Sequence, residues 1–104
     1  MAFSCPQEDK VYAYRHGAER LDYISRLDNA KIRQYVENYF GDWLIDVGTL
    51  VVTLRPVENG YKVILGADWA TDELGVASDL KEAAAMAAGK AYAIAEDYEW
   101  EKGG

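Results

Sequence analysis

The chain has 104 residues, half of them apolar, and a formal net charge of −7 at pH 7. This length and composition predict one compact domain over residues 1–104 and exclude a disordered protein. Cys5 is the only cysteine, which excludes a domain stapled by internal disulfides. The start has no basic segment followed by an apolar stretch, and the apolar runs are too short to span a bilayer, so we expect a cytoplasmic protein without membrane contact.

Two helices are predicted in the first 41 residues. From about residue 6 to residue 27, apolar residues recur at three- and four-residue steps, which predicts one helix or two helices divided at Gly17. Asp28 is placed to cap the next helix, and Gly41 to end it. The apolar stripe of that helix would be Ile32, Tyr35, Val36 and Tyr39.

A strand and a hairpin are predicted after residue 49. The period of the apolar residues changes to two over residues 50–55, as it does in strands. The dipeptide Asn59-Gly60 predicts a two-residue hairpin loop, because both residue types tolerate a positive φ. A loop at this place pairs Leu54 with Leu65 and keeps both side chains on the same face.

Two shorter segments flank this hairpin. Residues 43–47 are a candidate earlier strand. Residues 75–78 are a candidate later strand, which would follow a turn at residues 71–74. We therefore expect an antiparallel hairpin or a three-stranded meander.

The chain is predicted to end in a long helix. Asp79 is placed to begin it, and Glu82, three residues later, completes a capping box. The predicted buried stripe is Leu80, Ala84, Ala87, Ala91, Ile94 and Tyr98. Because most of these side chains are small, we expect the helix to pack closely on the sheet. The predicted fold class is α+β, with N-terminal helices, an antiparallel sheet and a long C-terminal helix.

Reactive residue types are scarce in this sequence. His16 is the only histidine and Cys5 the only cysteine, which argues against nucleophilic catalysis and against a transition-metal site. Asp68, Asp72 and Glu73 lack the alternating ligands of a calcium-binding loop, and no phosphate-binding glycine motif occurs. We therefore expect no enzymatic activity and no cofactor.

Arginines and tyrosines interleave between Tyr12 and Tyr35, a pattern that can stack on bases and neutralise phosphates. A nucleic-acid-binding domain usually has a clear basic excess, whereas this chain is acidic. Helix-face ion pairs such as Asp22 with Arg26 account for the arginines. We therefore expect no direct binding of nucleic acid.

The negative charge is concentrated in residues 57–104, which hold ten acidic and four basic side chains. Such a surface attracts basic protein grooves, where carboxylates can take the place of phosphates beside arginines. The candidate partner-binding residues are Asp68, Trp69, Asp72, Glu73, Asp79, Met86, Tyr92, Glu96, Asp97, Glu99 and Glu101. A solvated surface that only confers solubility explains the same carboxylates without a partner.

The predicted sheet is followed by the alanine-rich helix start Ser78-Asp79-Leu80-Lys81-Glu82-Ala83-Ala84-Ala85. With its size, its acidity and its lack of enzymatic motifs, the chain resembles the small phage-encoded inhibitors of bacterial defence, which include anti-CRISPR proteins. The resemblance implies a stoichiometric inhibitor that binds a CRISPR effector or nuclease and blocks its nucleic-acid site or its assembly. The alternative is a homodimeric binding or structural module of a mobile element, paired through Met86 and Tyr92.

Overall fold

The computed structural model describes the backbone of residues 7–103 and the side chains of residues 8–100. Cys5, Pro6 and the side chain of Glu101 lie outside these ranges. The elements in chain order are α1 (Gln7–Ser25), α2 (Asn29–Ile32), a 3₁₀ turn (Arg33–Tyr35), β1 (Val36–Tyr39), β2 (Asp42–Asp46), β3 (Val51–Val57), β4 (Gly60–Ala67), β5 (Ala70–Ala77) and α3 (Leu80–Gly103). The predicted α+β class is confirmed.

The strands form one antiparallel sheet in the order β1-β2-β3-β4-β5. The sheet therefore has five strands, and the predicted hairpin or three-stranded meander is wrong in this detail. Both long helices pack against one face of the sheet, where Val52, Leu54, Val63 and Leu65 are buried. The opposite face of the sheet carries no helix among the described residues.

The two long helices run antiparallel to each other. Arg15 of α1 forms an ion pair with Glu99 near the end of α3, whereas Lys81 at the start of α3 donates to the carbonyl of Leu27, just after α1. The core lies between this helix pair and the sheet.

Gly17 does not divide α1, which is continuous from Gln7 to Ser25. A Cβ at this position would overlap the side chain of Leu50, which is buried just before β3. The hydroxyl of the neighbouring Thr49 donates a 2.8 Å hydrogen bond to the Ala13 carbonyl. The glycine thus allows the loop between β2 and β3 to approach the helix closely.

The helix predicted after Asp28 is largely wrong. Asp28 does cap α2, since its carboxylate accepts from the Lys31 N–H at 2.9 Å, but the chain leaves the α-helix after Ile32. Residues from Val36 onward form β1, because β-branched and aromatic residues favour strands. Phe40 and Gly41 then make a two-residue hairpin loop with φ values of 52° and 89°.

The predicted hairpin between β3 and β4 exists, but its register is shifted by two residues. Leu54 pairs with Val63, and the loop residues are Glu58 and Asn59, with Gly60 beginning β4. Gly60 has a φ of 144°, and a Cβ there would overlap the carbonyl oxygen of Ala77 in β5. Gly60 therefore allows β4 and β5 to lie close together at this point. The shift of two residues in the register of β3 with β4 keeps every side chain on its expected face.

β5 is much longer than the predicted segment 75–78. The turn expected at residues 71–74 is wrong, because the chain turns at Asp68 and Trp69 instead. Asp72 and Glu73 are therefore strand residues. A bulge at Leu74 interrupts the pairing with β4, and Gly75 follows it with a φ of 126°.

The start of α3 agrees with the prediction. The Asp79 carboxylate accepts from the Glu82 N–H at 2.8 Å, and Glu82 in turn accepts from the Ser78 hydroxyl at 2.5 Å. Six alanines of this helix are buried: Ala83, Ala84, Ala87, Ala88, Ala91 and Ala95. The expected close packing of an alanine face on the rest of the domain is therefore present.

Candidate functional site

An aromatic cluster joins the start of α1, the turn before β5 and the end of α3. Trp69 Nε1 donates a 3.1 Å hydrogen bond to the hydroxyl of Tyr14, and the two rings meet edge to face at 5.7 Å. The ring of Tyr98 stacks on Tyr14 at 5.8 Å. Lys10 Nζ lies 5.8 Å from the Trp69 ring and 5.7 Å from the Tyr98 ring. The predicted partner residue Trp69 is thus held in place by the fold.

Asp72 lies close to this cluster. Burial raises the pKa of the Tyr14 hydroxyl above its ordinary value of 10.0, and the charges of Tyr98 and Asp72 act in the same direction, whereas the hydrogen bond from Trp69 lowers it. Asp72 pairs with Leu65, whose side chain is buried on the helix side of the sheet, so Asp72 lies on that side as well. Asp72 is half-buried there, and Asp68 is exposed in the turn beside Trp69.

Two other candidate carboxylates are exposed near the end of α3. Glu96 and Asp97 directly precede Tyr98 in the chain. The Tyr98 ring and Trp69 both contact Tyr14. The end of α3 is therefore adjacent to the turn that holds Asp68. We call the carboxylates of Asp68, Asp72, Glu96 and Asp97 the acidic side. Among the side chains of residues 8–100, none of these four forms an ion pair within 4 Å, although the pKa of the Arg15 guanidinium, which Glu99 raises most, is also raised by the charge of Glu96.

Three of the remaining candidate carboxylates, Glu73, Asp79 and Glu99, already have partners. Glu73 binds Lys62 Nζ at 2.8 Å, and Asp79 caps α3. Glu99 binds Arg15 at 2.6 Å, and this hydrogen bond is the main reason that the pKa of the Arg15 guanidinium is raised. Asp79 also stands at the far end of β5 from Trp69, a span of about 26 Å for eight strand residues. The candidate residues of the sequence analysis therefore lie at separate places in the fold.

Met86 lines an open groove between β5 and α3. The groove has a volume of about 430 Å³ and is lined by Glu73, Leu74, Ala85, Met86, Gly89 and Lys90. Met86 is half-buried against the core, and a Cβ at Gly75 would lie 3.7 Å from its methyl group. Tyr92 lies on α3 as well, but it is 38% exposed and does not line this groove.

Sequence reasoning missed two exposed features. Phe40, at the tip of the first hairpin, is 91% exposed and contacts the ring of Tyr39 edge to face at 4.5 Å. The sequence predicts Gly41 as a helix end, and phenylalanine is an uncommon first residue of a two-residue hairpin loop. A recess of about 250 Å³ also lies beside α1, lined by His16, Glu19, Arg20, Tyr23, Ile24 and Tyr35. The interleaved tyrosines and arginines were its only sequence signal.

No protein-family model, curated protein or solved structure matches this chain. In the part of the chain that the structure describes, no group of three or more His, Cys, Asp or Glu residues is placed to hold a metal ion. Within the same part, none of the helices combines the length and the apolar character that crossing a membrane requires.

Proposed function

We propose that the chain is a non-enzymatic protein-binding inhibitor whose acidic side occupies a basic nucleic-acid-binding surface of a partner, such as that of a CRISPR effector or nuclease. One observation carries the proposal: a fixed cluster of aromatic rings joins the turn and the helix end that carry Asp68, Asp72, Glu96 and Asp97, and none of these four forms an ion pair within 4 Å among the described side chains. Carboxylates on a rigid base lose little conformational entropy when arginines or lysines bind them.

The physical basis of such binding is charge complementarity. A chain with a net charge of −7 is attracted to a basic cleft, which accelerates the encounter. Partner arginines can bind carboxylates with the same planar donor pairs that they use for phosphates. Aromatic side chains such as Trp69 add contact area beside the charges. Binding of this kind excludes nucleic acid because both compete for the same cations.

The test compares two double variants with the same change of net charge. Asp68→Asn with Asp97→Asn neutralises two carboxylates of the acidic side. Glu37→Gln with Glu58→Gln neutralises two exposed carboxylates at β1 and at the loop between β3 and β4, away from that side. We expect capture of a partner from bacterial lysate by the unmodified chain and by the control, but not by the first variant, and weaker capture at high salt.

The captured partner is then identified and assayed for binding to labelled nucleic acid. A stoichiometric amount of the unmodified chain should abolish this binding, whereas the Asp68 and Asp97 variant should not. Equal capture by the two double variants, or nucleic-acid binding that continues in the complex, would contradict the proposal.

A second candidate function is a homodimeric module that pairs through α3. Three small residues at intervals of four, Ala85, Gly89 and Ala93, are exposed on this helix, and Tyr92 is exposed beside them. A face of small residues allows two helices to approach closely. Light scattering should then show a mass that rises to twice that of the monomer with concentration, and Ala93→Glu should prevent the rise. A constant monomer mass would eliminate this candidate.

A further inference from the structure

β5 forms one edge of the sheet and leaves one side of its backbone without a neighbouring strand. No backbone hydrogen bond other than those of its ladder with β4 is recorded for β5 among the described residues. An edge strand with free N–H and C=O groups can accept a further strand. β5 spans eight residues and contains neither proline nor lysine, two residue types that commonly protect edges. β1, at the other edge, has only four residues.

The bulge at Leu74 limits how far an added strand can pair. From Ala70 to Glu73 the register with β4 is regular, and the shift falls between Glu73 and Gly75. The regular edge therefore offers four residues. Directly after it, Leu74 lines the groove between β5 and α3, so a side chain of an added strand can enter the groove at that point.

The charges beside this edge indicate which strand it suits. Asp72 lies within the regular segment and Asp68 precedes it in the turn, whereas Glu73 already binds Lys62 of β4. A second copy of β5 would bring Asp68 and Asp72 of both chains to one seam, where like charges repel. The apolar part of the groove wall consists of Leu74, Ala85 and Met86, with Lys90 as its cation. A suitable strand therefore carries basic side chains and one apolar side chain.

We propose that β5 receives an extended basic segment of a protein partner as a sixth strand of the sheet, with lysines or arginines beside Asp68 and Asp72 and an apolar side chain in the groove next to Leu74 and Met86. This inference rests on the proposed function, because it names the kind of segment that the basic partner presents. Main-chain hydrogen bonds supply the affinity in this mode, and the groove supplies selectivity.

The experiment measures binding of labelled short peptides in which lysine or arginine alternates with valine, isoleucine, leucine or phenylalanine. The best binder is then made in two N-methylated forms, each blocking every second backbone N–H. Consecutive N–H groups of a strand point to opposite sides, so only one of the two sets can face β5. We expect one form to bind about tenfold or more weakly and the other to bind like the parent peptide.

A matched pair of variants tests the groove. Gly89 lines it and has open space where a Cβ would stand, so Gly89→Gln fills the groove without a clash or a change of charge. Ala30→Gln adds the same side chain at an exposed position of α2. We expect Gly89→Gln to weaken binding of the peptide about fivefold and Ala30→Gln to leave it unchanged.

Equal effects of the two N-methylated forms, whether both bind or neither does, overturn the sixth-strand inference. Failure of all peptides of the set to bind also overturns it. Neither result affects the proposed function, which the charge variants test with the intact partner. If the Asp68 and Asp97 variant still captures the partner while one methylated form alone loses binding, the acidic side is wrong and the edge strand stands.

Discussion

The two long helices cover the same face of the sheet with side chains of opposite size. α1 buries large residues, among them Tyr14, Leu21 and Ile24, whereas α3 buries mainly alanines. A helix with large side chains fills the space above a sheet, and a helix with alanines reaches the sheet by moving closer. The first arrangement should be sensitive to deletion of atoms, and the second to their addition.

Each helix also has a glycine near its middle, and the two glycines have different surroundings. Gly17 of α1 faces Leu50 so closely that a Cβ would overlap its side chain, whereas Gly89 of α3 has no heavy atom within 4 Å of that position. The first glycine is required by packing, and the second is not. Glycine is therefore needed for close packing in α1, whereas in α3 it only lowers the stability of the helix.

The largest effect is expected from deleting a large side chain of α1. Leu21 is fully buried, and Leu21→Ala leaves a cavity that should lower the free energy of unfolding by about 2–5 kcal/mol. Urea denaturation measures this loss. Tyr12→Ala removes a larger side chain from an exposed position of the same helix and should change little. Equal losses in the two variants would show that α1 does not form the core.

The reverse change should destabilise α3. Ala87 is fully buried, and Ala87→Leu adds atoms where the helix lies close to the core, so we expect a loss of about 1–3 kcal/mol. Ala85→Leu is the matched control, because Ala85 is exposed on the same helix and both residues favour helices. Chemical denaturation of both variants would contradict the close packing of α3 if Ala87→Leu were as stable as Ala85→Leu.

Alanine substitution of the two glycines should act in opposite directions. Gly89→Ala should stabilise the domain by about 1 kcal/mol, because alanine is the better helix former and nothing obstructs its Cβ. Gly17→Ala gains the same propensity but must displace Leu50, so a net loss of about 1 kcal/mol or more is expected. Thermal melts of the two variants decide this, and stabilisation by both substitutions would show that Leu50 repacks freely.

The sequence predicted the elements whose signals are local. The capping box at Asp79 and Glu82, the alanine stripe of α3 and the change of period at β3 depend on neighbours within a few residues, and all three are present. β1 was missed because Ile32, Val36 and Tyr39 have helical spacing. Gly41 fits a helix end as well as a hairpin loop, and only the structure shows the positive φ of Phe40 that places both residues in a hairpin loop.

The candidate site was harder to predict because it depends on contacts between distant parts of the chain. The sequence shows that Asp68, Asp72 and Asp97 are acidic, but only the fold brings the turn and the helix end together through Tyr14. The fold also shows which carboxylates already form ion pairs, such as Glu73 with Lys62 and Glu99 with Arg15. The error of two residues in the register of β3 with β4 kept every side chain on its predicted face. The turn predicted at residues 71–74 instead of at Asp68 and Trp69 left most of the edge strand β5 unpredicted.

The smallest expected effect comes from Tyr14, where α1 and α3 meet at one hydroxyl group. The folded chain holds the Tyr14 proton to a higher pH than the unfolded chain does, since burial raises its pKa above 10.0. This contribution to stability is present below about pH 10 and is lost as the pH rises toward the pKa of the folded state. Tyr14→Phe should remove the part of the loss of stability at alkaline pH that comes from Tyr14. At neutral pH it should lower the free energy of unfolding by about 0.5–1.5 kcal/mol, because Trp69 Nε1 loses its acceptor. Melting temperatures from about pH 8 to about pH 11 measure both effects, with Tyr12→Phe as an exposed control that should follow the unmodified chain. A Tyr14→Phe variant that loses stability as steeply as this control would show that Tyr14 ionises as readily in the folded chain as in the unfolded one.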